Sequence, residues 1–167
     1  IIYSNIRKFV YYLIYCNMAE IAIIFIAMLV VGKSPLAAIQ LLWLNLVTDG
    51  APALALGTEK GDPDIMQQKP RPHDEPIINQ EMRIGVVIQS VFITVATLLA
   101  YFIGLGHNEV YAQTMAFITL SVSELLRAFT ARSETYPILK IGIFGNKYMN
   151  YAVGASMVLI LMVLYVP

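Results

Sequence analysis

Charge is scarce in this sequence. Asp, Glu, Lys and Arg make up 13% of the 167 residues, and eleven basic residues balance eleven acidic ones. A soluble domain carries about 25% charged residues, so the composition argues against a water-soluble globular domain and against a disordered chain. A nucleic-acid binder needs a basic surface, which a neutral chain does not offer. We therefore expect no nucleic-acid partner.

Cysteine is almost absent as well. Cys16 is the single cysteine, so the chain cannot form an internal disulfide, and a disulfide-stabilised secreted scaffold is not predicted. We expect this thiol to be a small packing residue. The chain opens Ile1-Ile2-Tyr3, with neither an initiator methionine nor a signal-peptide pattern. This opening indicates a piece of a longer protein.

Long apolar runs are what the sequence does contain. Apolar residues make up 58% of the chain, and a membrane-spanning helix takes about 20 of them in succession. Helices are expected because every backbone polar group in lipid must be satisfied within its segment. We predict an all-α membrane protein, a bundle of about five transmembrane helices forming a single transport domain over residues 1–167. The predicted helices are about 9–31, 35–56, 84–105, 110–131 and 148–166, with a loop at 57–83.

The basic residues predict an orientation. With the N-terminus on the cytoplasmic side, ten Lys and Arg residues fall on that side and only Lys33 falls on the other, as the positive-inside rule expects. The long loop is then cytoplasmic. Its prolines and alternating charges argue against a helix. It is either a solvated connector or a docking surface for another part of the same protein.

Three carboxylates interrupt the apolar segments. Glu20, Asp49 and Glu124 each lie about 12–16 Å along their segment from its inner end, at about 1.5 Å per residue. Because a charge near the bilayer centre costs at least about 2.5–3.5 kcal/mol, we expect the three groups to share one layer and one purpose.

Polar neighbours strengthen two of these positions. Asn17 and Glu20 are spaced i,i+3, and Asn45, Thr48 and Asp49 are spaced i, i+3 and i+4, so each set shares one helical face. Carboxylate, amide and hydroxyl oxygens are ligands for hard cations, and three acids favour Ca²⁺. Two alternatives stay open: the acids are structural and protonated, or Glu124 pairs with Arg127 at i,i+3.

The residues after Asp49 predict a break in the second helix. Pro52 has no N–H for the carbonyl of Thr48, and Gly50 loosens the same turn. We therefore expect this helix to be unwound near Asp49–Pro52. Broken helices at mid-membrane often build ion sites.

These residues resemble a known family, the P-type Ca²⁺-ATPases of the sarco/endoplasmic reticulum and bacterial type. Gln40–Ala53 (QLLWLNLVTDGAPA) resembles the sixth transmembrane helix of the family, and Asn17–Glu20 (NMAE) resembles the fifth. Residues 62–72 (DPDIMQQKPRP) look like the loop between helices six and seven. Glu124–Phe129 (ELLRAF) is similar to the eighth helix. The resemblance covers essentially the whole chain, from helix five to helix nine.

The resemblance implies roles for individual residues. The first Ca²⁺ site would use Asn17, Glu20, Thr48, Asp49 and Glu124, and the second would use Asn45 and Asp49 together with groups from helix four. Charged residues of the loop would couple the site to the phosphorylation domain: Asp62, Asp64, Lys69 and Arg71. Arg127 stands where the reticulum pumps carry a neutral residue.

The resemblance also implies a whole-protein function, ATP-driven export of Ca²⁺ from the cytoplasm in exchange for protons. ATP and Mg²⁺ would act through upstream phosphorylation and nucleotide domains, so this fragment alone would not hydrolyse ATP. Its partners would be that upstream part, including helices one to four, and the lipid bilayer, in a bacterial cell membrane. The alternatives are a P-type pump for Mn²⁺, Na⁺ or K⁺, and a carrier or channel that is not an ATPase.

Overall fold

The fold is described from a computed structural model, which covers residues 2–60, 76–133 and 136–165. These residues form helices: α1 (Ile2–Val31), α2 (Ala38–Trp43), a π-helical turn (Leu44–Thr48), α3 (Gly50–Gly57), α4 (Gln80–Leu105), α5 (Glu109–Thr130), α6 (Ile138–Ile141), a 3₁₀ turn (Ile143–Gly145) and α7 (Lys147–Tyr165). The predicted all-α membrane bundle is confirmed. The coupling residues Asp62, Asp64, Lys69 and Arg71 lie outside the described ranges.

Four helical segments are long and apolar enough to cross a membrane: Ile2–Val31, Ala38–Gly57, Gln80–Leu105 and Lys147–Tyr165. The 22-residue helix α5 was also predicted to cross. It is long enough to cross a membrane, but its polar residues make it less apolar than the other four segments. One face of α5 is buried from Ala112 to Ala128, so the bundle covers part of its surface.

Helix α1 is longer than its apolar stretch. It has 30 residues, about 45 Å at 1.5 Å per residue, and a bilayer core is about 30 Å thick. Hydropathy marked a start near Phe9, but the helix already begins at Ile2. The polar first turns are helical because they pack on neighbours: Asn5 donates to the carbonyls of Gly57 (3.2 Å) and Glu59 (2.7 Å).

The second helix is interrupted, as expected, but by a π-helical turn rather than by unwinding after Asp49. The Asp49 N–H donates to the Leu44 carbonyl at 2.8 Å, five residues back. The helix resumes at Gly50 with Pro52 in its first turn, where a missing N–H costs little. Turns of this kind often occur at functional sites.

The helices α1, α4 and α5 pack together, and α3 packs between α1 and α7. The tightest approach is between α4 and α5, where a Cβ added to Gly104 would lie 2.5 Å from the Ala112 Cα. Only glycine permits that contact. This contact holds the end of α4 against the start of α5.

One end of the bundle is closed by a buried ion pair. Arg132 donates from Nε to Glu59 Oε2 (2.9 Å) and from Nη2 to Glu59 Oε1 (3.0 Å). Asn146 donates to Glu59 Oε2 at 2.7 Å. We call these three residues the Glu59 cluster. It joins the ends of α3 and α5 to the start of α7. Helix α1 also begins at this end of the bundle, which we call the basic end.

At the opposite end the ion pair is exposed. Lys33 lies 2.6 Å from Glu109, and both side chains are about half exposed. The hydrogen bond that Lys33 donates to this carboxylate raises the pKa of Lys33. Exposed pairs of this kind stabilise proteins little, so at this end the close contact of Gly104 with Ala112 matters more than the ion pair.

Candidate cation-binding site

Two of the three predicted carboxylates meet in the centre of the bundle. Asp49, at the end of the π-helical turn, and Glu124, on α5, are both fully buried. One carboxylate oxygen of each and the Cys16 sulfur of α1 all lie within 4.8 Å of one another. Three helical segments therefore bring potential ligands to one point, which we call the acid site.

Several buried oxygens of Asp49, Glu124 and the neighbouring Thr48 lack a hydrogen-bond partner among the described residues. Asp49 Oδ2, both Glu124 carboxylate oxygens and Thr48 Oγ1 are buried and make no hydrogen bond within the part of the chain that the structure describes. Buried polar atoms are normally paired, because leaving one unpaired costs several kcal/mol in an apolar medium. Unpaired acceptors gathered in this way are what a bound cation would satisfy.

Tyr12 ties the acid site together. Its hydroxyl lies 3.2 Å from Asp49 Oδ1 and 3.3 Å from the Glu124 backbone carbonyl. The ring is fully buried on α1. Because both acceptors face the same hydroxyl, Tyr12 fixes the separation between the π-helical turn and α5.

Glu20, the third carboxylate, is held by an amide. Asn45 Nδ2 lies 3.0 Å from Glu20 Oε2 and 3.3 Å from Oε1. Glu20 is buried, with 5% of its surface exposed. The contact joins Glu20 of α1 to Asn45 of the π-helical turn, four residues before Asp49.

Two residues singled out from the sequence lie apart. The Asn17 side chain is exposed and donates to the Leu13 carbonyl at 2.9 Å, within its own helix. Arg127 turns toward α1, with its guanidinium 5.3 Å from the Tyr11 ring centre and 5.5 Å from that of Tyr15. The Glu124–Arg127 pairing is therefore not formed among the described residues.

The sequence reasoning missed two members of the acid site, Tyr12 and Cys16. Tyr12, Cys16, Ala19 and Ile23 recur at helical spacing and form the fully buried stripe of α1, whereas Asn17 is on another face. The outward faces of α1 are apolar as well, with Met18, Ile21 and Phe25 exposed. Hydrophobicity alone therefore does not distinguish the buried stripe.

The dimensions of the acid site suit a metal ion. Three atoms no more than 4.8 Å apart leave a point within about 2.8 Å of all three, close to the ~2.3–2.6 Å of Ca²⁺–oxygen bonds. The carboxylates carry the negative charge that a divalent cation needs on leaving water. Small movements of three helical segments would shorten or open all the contacts together.

Comparison with known proteins identifies relatives of the chain. Residues 33–167 match the family model described as "Cation transporting ATPase, C-terminus". The chain is 43% identical over 99% of its length to a calcium-transporting ATPase of Bacillus subtilis, and 35% identical over 99% to calcium-transporting ATPase 1 of Bacillus cereus. It is 32% identical over 99% to calcium-transporting ATPase type 2C member 1 of Pongo abelii.

The chain covers only a part of these relatives. It spans 19% of the Bacillus subtilis protein, 21% of the Bacillus cereus protein and 18% of the Pongo abelii protein. The resemblance recognised in the helix-six block Gln40–Ala53 is confirmed by these matches. The chain therefore belongs to the family of cation-transporting ATPases, and it corresponds to their carboxyl-terminal region.

Proposed function

We propose that this chain is the ion-binding membrane part of an ATP-driven pump that exports Ca²⁺ from the cytoplasm. One observation carries the proposal: Asp49 and Glu124 are buried side by side with three carboxylate oxygens unpaired among the described residues. The names of the relatives support Ca²⁺ as the transported ion. A purely structural acid pair would need hydrogen-bond partners, which these three oxygens lack.

The proposed ligand set is built around Asp49 and Glu124. Thr48 adds a hydroxyl, and Glu20 with Asn45 adds a carboxylate and an amide oxygen beside them. Ca²⁺ accepts six to eight oxygens in irregular geometry, so a set drawn from three helical segments suits it. Asn17 is included in the proposed set on the sequence resemblance alone, since its side chain is exposed among the described residues and donates within its own helix.

Exchange for protons follows from the same crowding. When the cation leaves, three carboxylates stay close together in a buried place, where like charges repel strongly. Taking up protons relieves that repulsion, and binding Ca²⁺ releases them again. Proton counter-transport would thus be a property of Glu20, Asp49 and Glu124 themselves.

The energy source lies elsewhere in the proposed pump. Phosphorylation and nucleotide domains would use ATP and Mg²⁺, and the loop bearing Asp62, Asp64, Lys69 and Arg71 would transmit their movement to α3 and α4. The pump would span the bacterial cell membrane several times, with the basic end of this bundle in the cytoplasm.

The test uses the full-length pump and Ca²⁺-dependent phosphorylation from ATP. We expect Asp49→Asn and Glu20→Gln each to abolish phosphorylation at micromolar Ca²⁺, because each removes a negative charge from the proposed ligands of the cation. Glu109→Gln is the matched control, since Glu109 is an exposed carboxylate at the opposite end, and it should leave phosphorylation intact. Normal phosphorylation in both site variants would refute the proposed site.

A further inference from the structure

Cys16 is the only thiol in the sequence, and the fold brings it to the acid site. It lies on the buried stripe of α1 and is fully inaccessible to solvent. Its sulfur is within 4.8 Å of a carboxylate oxygen of Asp49 and of one of Glu124. The thiol therefore faces two carboxylates that other helical segments supply.

The case does not depend on the cysteine alone. Asp49 Oδ2 and both Glu124 oxygens are buried and lack hydrogen-bond partners among residues 2–60, 76–133 and 136–165. These atoms point independently to a cation at the same place. A cation near the centre of the three groups would therefore meet sulfur as well as oxygen.

The ligand types decide which cations gain from this arrangement. Ca²⁺ and Mg²⁺ prefer oxygen ligands, whereas thiolate sulfur selects softer metals. With one cysteine in the sequence, the site is unlike the multi-cysteine sites that hold structural zinc. A mixed site of one sulfur and several carboxylate oxygens suits a soft divalent ion with the charge of Ca²⁺, of which Cd²⁺ is an example.

We propose that Cys16 makes the acid site a mixed sulfur–oxygen site that binds thiophilic divalent cations such as Cd²⁺ in competition with Ca²⁺. The metal–sulfur bond replaces the S–H bond of the thiol, and the proton is released as the cation binds. This inference rests on the proposed function, since it concerns the same site. Cys16 is then a specificity-determining residue, because it sets the ratio of the affinities for Cd²⁺ and Ca²⁺ rather than the ability to bind a cation.

The test compares Cys16 with Cys16→Ser in the full-length pump. Cd²⁺ inhibition of Ca²⁺-dependent phosphorylation and the Ca²⁺ affinity are measured in the same preparations. We expect Cys16→Ser to lower the ratio of Cd²⁺ affinity to Ca²⁺ affinity by about tenfold or more, because serine keeps the shape and replaces sulfur by oxygen. A packing defect would weaken the binding of both ions alike and leave the ratio of the two affinities unchanged.

A direct measurement accompanies the functional one. X-ray absorption at the cadmium edge of the Cd²⁺-loaded pump should report one sulfur among oxygen neighbours, and that sulfur should vanish in Cys16→Ser. An unchanged affinity ratio, or cadmium with oxygen neighbours alone, would overturn this inference. If phosphorylation still depended on Ca²⁺, the proposed function would be unaffected by that result. Phosphorylation that responds to neither ion would overturn the proposed function as well.

Discussion

At the scale of single residues, Tyr12 does more than fill space. Its hydroxyl faces both a side-chain oxygen of Asp49 and the backbone carbonyl of Glu124. A hydroxyl has one proton and can donate fully to only one of them at a time. Tyr12 therefore positions Asp49 and α5 relative to each other without supplying charge to the cation.

We expect Tyr12→Phe to weaken Ca²⁺ binding without abolishing it. Losing one hydrogen bond costs about 0.5–1.5 kcal/mol, so the concentration of Ca²⁺ that half-saturates phosphorylation should rise roughly twofold to tenfold. Tyr101→Phe is the matched control, because Tyr101 is also fully buried but lies on α4, near its outer end. An equal loss in both variants would show that Tyr12 acts only by packing.

The residue scale also marks how far sequence reasoning reached. Counting depth along each segment predicted that Glu20, Asp49 and Glu124 share a layer, because helical rise is constant. The i,i+3 spacing groups Asn17 with Glu20, but these positions differ by about 60° around the helix, and only Glu20 is buried. Cys16 was assigned to packing because a thiol alone carries no signal until a partner from another helix is known.

At the scale of elements, the Glu59 cluster holds the end of α3, the helix that follows Asp49. Arg132 and Glu59 are 2% and 6% exposed, and Arg132 also donates to the carbonyls of Gly142 (2.8 Å) and Ile143 (3.0 Å). A bidentate pair with its remaining donors satisfied is the geometry in which burial of charge is tolerated.

We expect Glu59→Gln to destabilise the pump by roughly 3–5 kcal/mol, because it leaves the buried Arg132 charge uncompensated. The double variant Glu59→Gln with Arg132→Gln should be more stable than Glu59→Gln alone, since no charge is then stranded. Thermal unfolding of the whole pump in detergent measures both.

Glu109→Gln serves as the control for the ion pair. It breaks the exposed contact with Lys33 and should leave the unfolding temperature nearly unchanged. If Glu59→Gln behaved like Glu109→Gln, the Glu59 cluster would contribute little to holding α3, α5 and α7 together.

No pattern in the sequence predicted this cluster. Glu59 and Arg132 are 73 residues apart, and each reads as an ordinary charge flanking an apolar segment. The positive-inside count used Arg132 only as one of the ten basic residues. Its partner depends on how α3 and α5 pack, and packing between distant segments is not encoded by local periodicity.

At the scale of the whole molecule, the described basic residues gather at one end. Arg7 and Lys8 lie near the start of α1, Arg83 near the start of α4, and Lys147 at the start of α7. Lys33 lies at the opposite end. The fold thus agrees with the segment order from which the sequence predicted an orientation.

We expect the variant Lys33→Cys to react with a membrane-impermeant thiol reagent in intact cells. The variant Lys147→Cys should react only after the membrane is opened, because the basic end is expected in the cytoplasm. Both are introduced into the full-length pump after its other accessible cysteines are removed. The reverse pattern of labelling would invert the proposed topology.

The π-helical turn has a consequence for this topology. An α-helix advances by about 100° per residue, so one extra residue in the turn rotates everything after it by about that angle. Asn45, near the beginning of the turn, contacts Glu20, while Glu59, beyond the turn and α3, contacts Arg132. The extra residue therefore changes the direction in which the residues after the turn face. Asn45 can contact α1 while Glu59, farther along the same segment, contacts Arg132 after α5.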